Sequence, residues 1–222
     1  QHLPRNLCPL VKSSYGLALS DTCPYFHYSD LLIADDTCEG KRKMYEILSE
    51  IKPVHLLALP HIADGEQAFK QWLNELYRLR ALLEKELGNE ITDDSLRDAI
   101  RQYNRVRTLT TSIFALNKGD IPLLTGREAS IAVDPIGFLD DLPAFIERME
   151  QVIEFAHARS GIEPRHRILL TGCPTTSKKV LDIIEESALV IAMENCGGLK
   201  TVNMVDEEGD PMEALARATL KI

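Results

Sequence analysis

Cys8, Cys23 and Cys38 stand at equal intervals near the start of the chain, and Cys173 and Cys196 follow far downstream. Thiols spaced in this way admit four readings: disulfides, a zinc site, an iron–sulfur site, or ordinary buried cysteines. Five cysteines is an odd count, so disulfides cannot use them all. Zinc fits poorly, because structural zinc sites show a short C-x₂₋₄-C knuckle and this chain has none. His27, His55 and His61 are available as ligands, but His55 lies inside the apolar run PVHLLALP and reads as a core residue. A nucleophilic cysteine with a histidine base would account for one thiol and leave the others unexplained.

The positions of the cysteines narrow the choice. Cys38 follows the run DLLIAD and opens a helix, Cys173 follows RILLTG, and Cys196 follows ALVIAMEN and precedes Gly197 and Gly198. Each is therefore expected at the carboxyl end of a parallel strand, the ligand edge of an open α/β sheet. A structural cysteine would be expected in mid-strand, pointing into the core. A helix N-terminus offers free N–H groups and positive dipole, which favour thiolate over thiol. The glycines after Cys196 let backbone N–H groups approach a sulfur closely. Cys8, Cys23 and Cys173 are each followed by proline, which should hold the cysteine extended and keep the following backbone out of helix. Soft thiolates gathered from several strand ends favour an iron–sulfur site held between two lobes.

Those strand ends belong to elements legible from pattern. Residues 1–65 read as a first α/β lobe, in which YGLAL, DLLIAD and PVHLLALP have strand length. EGKRKMYEILSEI reads as a helix with Met44, Ile47, Leu48 and Ile51 on one face. Strand, helix and strand at this spacing predict a parallel βαβ unit. Residues 66–160 read as a helical segment: Phe69, Trp72, Leu73, Leu76, Leu79, Leu83 and Leu87 recur at helical steps, and Gly88 is a stop. Thr92 is an N-cap for a helix carrying Leu96, Ile100, Tyr103 and Val106. Pro122 and Gly126 mark a break, and DLPAFIERMEQVIEFAHARSG is a further helix ending near Gly161. Residues 161–222 form a second α/β lobe, with strands RILLTG and ALVIAMEN and helices TSKKVLDIIEES and DPMEALARATL. The fold class is α/β, two lobes with short parallel sheets joined by helices.

Composition sets outer bounds. A net charge of −9 argues against a nucleic-acid partner, and the longest apolar runs are too short to span a bilayer. No basic stretch followed by an apolar one opens the chain, and free thiols suit a reducing cytoplasm. The first residue is Gln1 rather than Met, so the natural start is expected upstream.

The segments NLCPLVKSSYG, DTCPYFHYSDLLIADDTCEGKRKMYE, PVHLLALP, LLTGCP and AMENCGG together resemble the 2-hydroxyacyl-CoA dehydratase and benzoyl-CoA reductase family, and most of all its double-cubane-cluster branch. The resemblance covers nearly the whole chain, and TCEGKRKMYE and ENCGG are its most specific blocks. It implies two Rossmann-like lobes and a double-cubane [8Fe-9S]-type cluster, two [4Fe-4S] cubanes joined by a sulfide. Carried over by position, the ligands to iron are Cys8, Cys23, Cys38, Cys173 and Cys196. It also implies a dimeric iron–sulfur ATPase as partner, delivering low-potential electrons for reduction of small, difficult substrates, and an anaerobic, oxygen-sensitive homodimer. Three departures stand out: full members of the family are longer at both ends, the family's glycine-rich turn after TGCP is here the shorter TTSKK, and the sixth cysteine is expected in a loop beyond Ile222.

Tyr25, His27 and Glu194 are loop or strand-end polar groups close in sequence to these cysteines, and they are the candidates for binding substrate or supplying protons. Lys41 and Arg42 read as exposed helix charges. The rival activities are a subunit of a 2-hydroxyacyl-CoA dehydratase with a single [4Fe-4S] cluster, and an electron carrier with no substrate of its own. The plainest rival is a metal-free α/β module with reduced thiols.

Overall fold

Prolines and helical periodicity shape the beginning of the chain. In the computed structural model, which describes residues 3–134, 140–172, 177–195 and 199–220, α1 runs from Pro9 to Leu19. Pro9 sits in its first turn, where a missing N–H costs nothing. Val11, Tyr15 and Ala18 are buried at helical steps. The run YGLAL, expected as a strand, is the second half of this helix. Leu17 and Leu19 lie off the buried face and stay exposed, so an apolar run of strand length arises from two helix faces read together.

Residues 1–91 form one compact unit. After α1 come α2 (Pro24–Tyr28), β1 (Leu32–Asp35), α3 (Glu39–Leu48), β2 (Val54–Leu57) and α4 (Glu66–Leu87). β1 and β2 pair in parallel, with Leu32 opposite Val54 and Asp35 opposite Leu57, as the strand–helix–strand pattern predicts. Met44 and Leu48 of α3 are buried against Val11, Tyr15 and Ala18 of α1. Ile51, expected on the same stripe, lies beyond the end of α3 and is exposed. Ala68, Phe69 and Trp72 form the buried stripe of α4, and Gly88 ends that helix in the left-handed conformation at φ 68°. Leu87 at its last turn is exposed.

Residues 92–222 form the second unit. The expected helical segment is thus divided, α4 going with the first unit and the later helices with the second. The second unit contains α5 (Asp93–Ala115), α6 (Gly126–Val133), α7 (Leu142–His157), β3 (His166–Gly172), α8 (Lys178–Glu185), β4 (Ala188–Asn195), a short 3₁₀ turn and α9 (Pro211–Thr219). Side-chain caps start the helices: Thr92 accepts from Ser95 N at 3.2 Å, and Thr125 and Glu128 form a capping box. β3 and β4 are parallel and leave the sheet at the same end, Gly172 opposite Asn195.

The core of this unit joins Val106, Ile113 and Phe114 of α5 to Phe145 and Met149 of α7, Leu181 of α8 and Val190 of β4. The start of α6 packs directly on β4. A Cβ on Gly126 would lie 2.4 Å from Val190 Cβ and 2.9 Å from its carbonyl oxygen. Glu185 secures the junction, its carboxylate accepting from Gly126 N at 2.6 Å, Arg127 N at 3.2 Å and Val190 N at 3.2 Å. Buried Asn104 of α5 donates to Val205 O at 2.7 Å and accepts from Val205 N at 3.0 Å, tying down the stretch before α9. Among the described residues no helix is long and apolar enough to cross a membrane.

Candidate metal centre

Three cysteines of the first unit occupy one kind of position. Cys8 is the N-cap of α1, Cys23 of α2 and Cys38 of α3. All three are free thiols; Cys8 and Cys38 are exposed and Cys23 is partly buried. Two of these helices begin with the proline of a Cys–Pro pair. Proline does hold Cys8 and Cys23 extended, at ψ 130° and 109°. It does not keep the following backbone out of helix, as expected, but starts it, because its fixed φ suits the first helical turn.

The helix ends act on the sulfurs. Phe26 N donates to Cys23 Sγ at 3.5 Å. The N–H groups of Val11 and Leu10 hold the Cys8 thiol below its ordinary value against an opposing effect of burial, with Lys12 adding to the lowering, although neither N–H reaches full cap geometry. Leu7 and Cys38 meet at Gly40: a Cβ there would lie 2.7 Å from Leu7 Cδ1 and 3.6 Å from Cys38 Sγ. The residue before Cys8 therefore rests on the first turn of α3, which Cys38 caps.

The turn that delivers Cys38 is built on Asp35, the last residue of β1. Its Oδ1 accepts from Thr37 N at 3.2 Å and from the Thr37 hydroxyl. Lys41 Nζ reaches both carboxylate oxygens, at 2.8 and 2.6 Å. Burial opposes ionisation of Asp35, but Lys41 and Thr37 outweigh it and hold the carboxyl below its usual range. Lys41 is thus a partner of the turn and not a loose helix charge. Asp36 accepts from Leu59 N at 3.0 Å, fixing the chain after β2 to the same strand end.

His27 and Tyr25 both lie on α2, two residues apart and so on different sides of it. His27 Nδ1 lies 2.8 Å from Asp21 Oδ1. A carboxylate only accepts, which assigns the proton to Nδ1 and leaves Nε2 as the acceptor in the neutral ring. Asp21, Thr22, Pro24, His27 and Tyr28 line an open cavity of about 290 Å³. Tyr25 is exposed. Glu194, at the end of β4 in the second unit, is exposed and receives the Thr171 hydroxyl at 3.4 Å. Cys173 and Cys196, which come next in sequence after β3 and β4, lie outside the described residues. Among the described residues no three Cys, His, Asp or Glu side chains converge closely enough to hold a metal ion. The donor set of the first unit nevertheless suits soft iron–sulfur ligation in its chemistry: accessible, unpaired thiols at helix N-termini. His55, placed in β2 as expected, is partly buried, and its buried Nε2 has no hydrogen-bond partner among the described residues.

Reading the sequence missed Asp21, Asp35 and Lys52. Asp35 had a local signal, an aspartate two residues before a threonine at a strand end. Lys52 had none, since the groups it binds lie 23 to 26 residues away.

Comparison with known proteins agrees with the resemblance. The profile described as "2-hydroxyglutaryl-CoA dehydratase, D-component" matches residues 1–222. "Putative dehydratase subunit YjiM" of Escherichia coli (strain K12) is 41% identical over 99% of this chain and 60% of its own length. "(R)-2-hydroxyglutaryl-CoA dehydratase, subunit beta" of Acidaminococcus fermentans is 24% identical over 85% of this chain and 50% of its own. "(R)-phenyllactyl-CoA dehydratase beta subunit" of Clostridium sporogenes is 26% identical over 97% and 58%. The chain spans between 50% and 60% of the length of these relatives. With the profile matched from end to end, the chain belongs to the 2-hydroxyglutaryl-CoA dehydratase D-component family.

Proposed function

We propose that this chain is the iron–sulfur-bearing part of an anaerobic, cytoplasmic enzyme, with Cys8, Cys23, Cys38, Cys173 and Cys196 as ligands to iron. The observation that carries the reading is the repeated placement of Cys8, Cys23 and Cys38 as free thiols at three helix N-termini of one unit. When bound, the cluster supplies one-electron chemistry at low potential. A single cubane takes at most about four thiolates, so five cysteines support two cubanes of the double-cubane type. An ATP-hydrolysing iron–sulfur activator would deliver the electrons, and the whole would work as a reductase of small substrates in a homodimer.

The chain's own residues prepare the site. Asp35, with Thr37 and Lys41, sets the turn that presents Cys38. Phe26 N–H donates to the Cys23 sulfur and orients it. His27, oriented by Asp21, is the candidate to accept a proton at Nε2 beside the open cavity. Tyr25 and Glu194 are further candidates for contact with substrate.

A second reading is a dehydratase subunit, which would carry one [4Fe-4S] cluster; that the relatives are named dehydratase subunits favours its dehydratase part. Assay with an activator ATPase, reductant and ATP under argon separates the two. ATP-dependent reduction of a small substrate such as azide or acetylene, without loss of water from a 2-hydroxyacyl-CoA, supports the reductase. Dehydration of the thioester supports the lyase. Redox activity of the cluster with neither turnover would leave an electron carrier.

A further inference from the structure

The helix α2 has five residues, too few to persist without outside support. Its N-terminal end is held by the Cys23 sulfur, which accepts from Phe26 N at 3.5 Å. Its C-terminal end is held by a residue far away in sequence. The Lys52 ammonium donates to the carbonyls of Phe26 and Ser29, lies 3.3 Å from His27 O, and stands 4.8 Å from the centroid of the Phe26 ring. A cation there satisfies carbonyls that a helix end leaves open and opposes the negative end of the dipole. Lys52 is itself anchored: its N–H donates to Leu48 O at the end of α3 at 3.0 Å, and the following residue, Pro53, accepts from Leu32 N of β1 at 2.9 Å. The ammonium thus clamps α2 to the frame of α3 and the sheet.

We propose that Lys52 is a positioning residue for Cys23. By closing the last turn of α2 it keeps Phe26 N–H directed at the Cys23 sulfur. The inference rests on the iron–sulfur reading of Cys23. Hydrogen bonds to a cluster's sulfurs set its reduction potential. An N–H donor stabilises the more electron-rich reduced state, so its loss moves the potential to more negative values. The same clamp fixes the segment bearing Tyr25 and His27.

The test uses the whole protein, prepared anaerobically, as Lys52→Met, Lys52→Arg and Lys52→Gln, with Lys43→Met as a control on the exposed face of α3. In metal-free protein, amide exchange at Phe26, His27 and Ser29 should quicken about tenfold or more in Lys52→Met, as for loss of a charge-assisted hydrogen bond, while α3 amides keep their protection. Lys52→Arg, which retains a cation with several donors, should restore most of the protection. In iron-loaded protein, Lys52→Met should keep its iron but titrate at a more negative potential, with Lys52→Arg near wild type. Lys52→Gln keeps a donor without the charge and stands in if the methionine variant does not fold. Unchanged α2 exchange, or an unchanged potential at full iron content, overturns the proposal. Wild-type protein that holds no iron contradicts the cluster reading instead, and the exchange measurement then decides the clamp alone.

Discussion

Asp35 and Lys41 form an ion pair with a closest approach of 2.6 Å across the turn from β1 into α3, and Cys38 lies within that turn. Lys41→Met should let the Asp35 carboxyl rise toward its ordinary value. Both side chains are partly exposed, so the pair contributes at most about 1 kcal/mol. The sign of its pH dependence follows from the lowered folded value. The contribution is complete at neutral pH and is lost as acid carries the pH down through that value, below the usual aspartate range. Titration of the Asp35 carboxyl by NMR, with urea unfolding at neutral and acid pH, checks both points. An Asp35 titration that Lys41→Met leaves in place would contradict the assignment.

Cys8 offers a second pH test. The Val11 and Leu10 N–H groups, opposed by burial and helped by Lys12, lower its thiol pKa. In metal-free protein, the rate of iodoacetamide alkylation at Cys8 should rise with pH to a midpoint below that of an ordinary cysteine. Pro9→Gly, which loosens the first turn of α1, should move the midpoint upward. A wild-type midpoint at or above the ordinary value would refute the helix-end effect.

Gly126→Ala probes the packing of α6 on β4. The new methyl group would press on the Val190 side chain and carbonyl, and relief requires backbone movement. A loss of about 1–3 kcal/mol is expected, seen as a lower urea midpoint with an unchanged slope. Stability equal to wild type would mean that the junction is looser than described.

Much of this architecture was legible because it rests on local signals. The β1–α3–β2 unit follows from two apolar runs around a helix with Met44 and Leu48 on one face, and Thr92 announced α5 by its capping chemistry. The first helix was missed because Leu17 and Leu19, exposed on its outer side, complete an apolar run of strand length. The segment GREASIAV was hidden by Pro122 and Gly126, which look like a break although Gly126 opens α6. At the candidate site the thiols were legible, and so was the helix end at Cys38; the helix ends at Cys8 and Cys23 were not, because a Cys–Pro pair reads as extended chain while its proline in fact opens the helix. The orienting groups could not: Asp21 meets His27 around a chain reversal in which its own φ is +50°, and Lys52 reaches α2 only through the folded frame.

Cys38→Ser separates a ligand from a structural residue. Serine keeps the size and the helix-cap position but is a poor ligand for iron. Bound iron should fall well below wild type, while the far-UV circular dichroism of the α/β fold stays the same. Full iron content and full activity would make Cys38 structural.

The central claim is that these thiols hold iron, and the most direct measurement is iron and acid-labile sulfide per chain on full-length protein purified without air. The account predicts about eight irons for two cubanes, against about four for one, with sulfide in similar amount. Iron and sulfide both near zero in protein that has never met oxygen would contradict it.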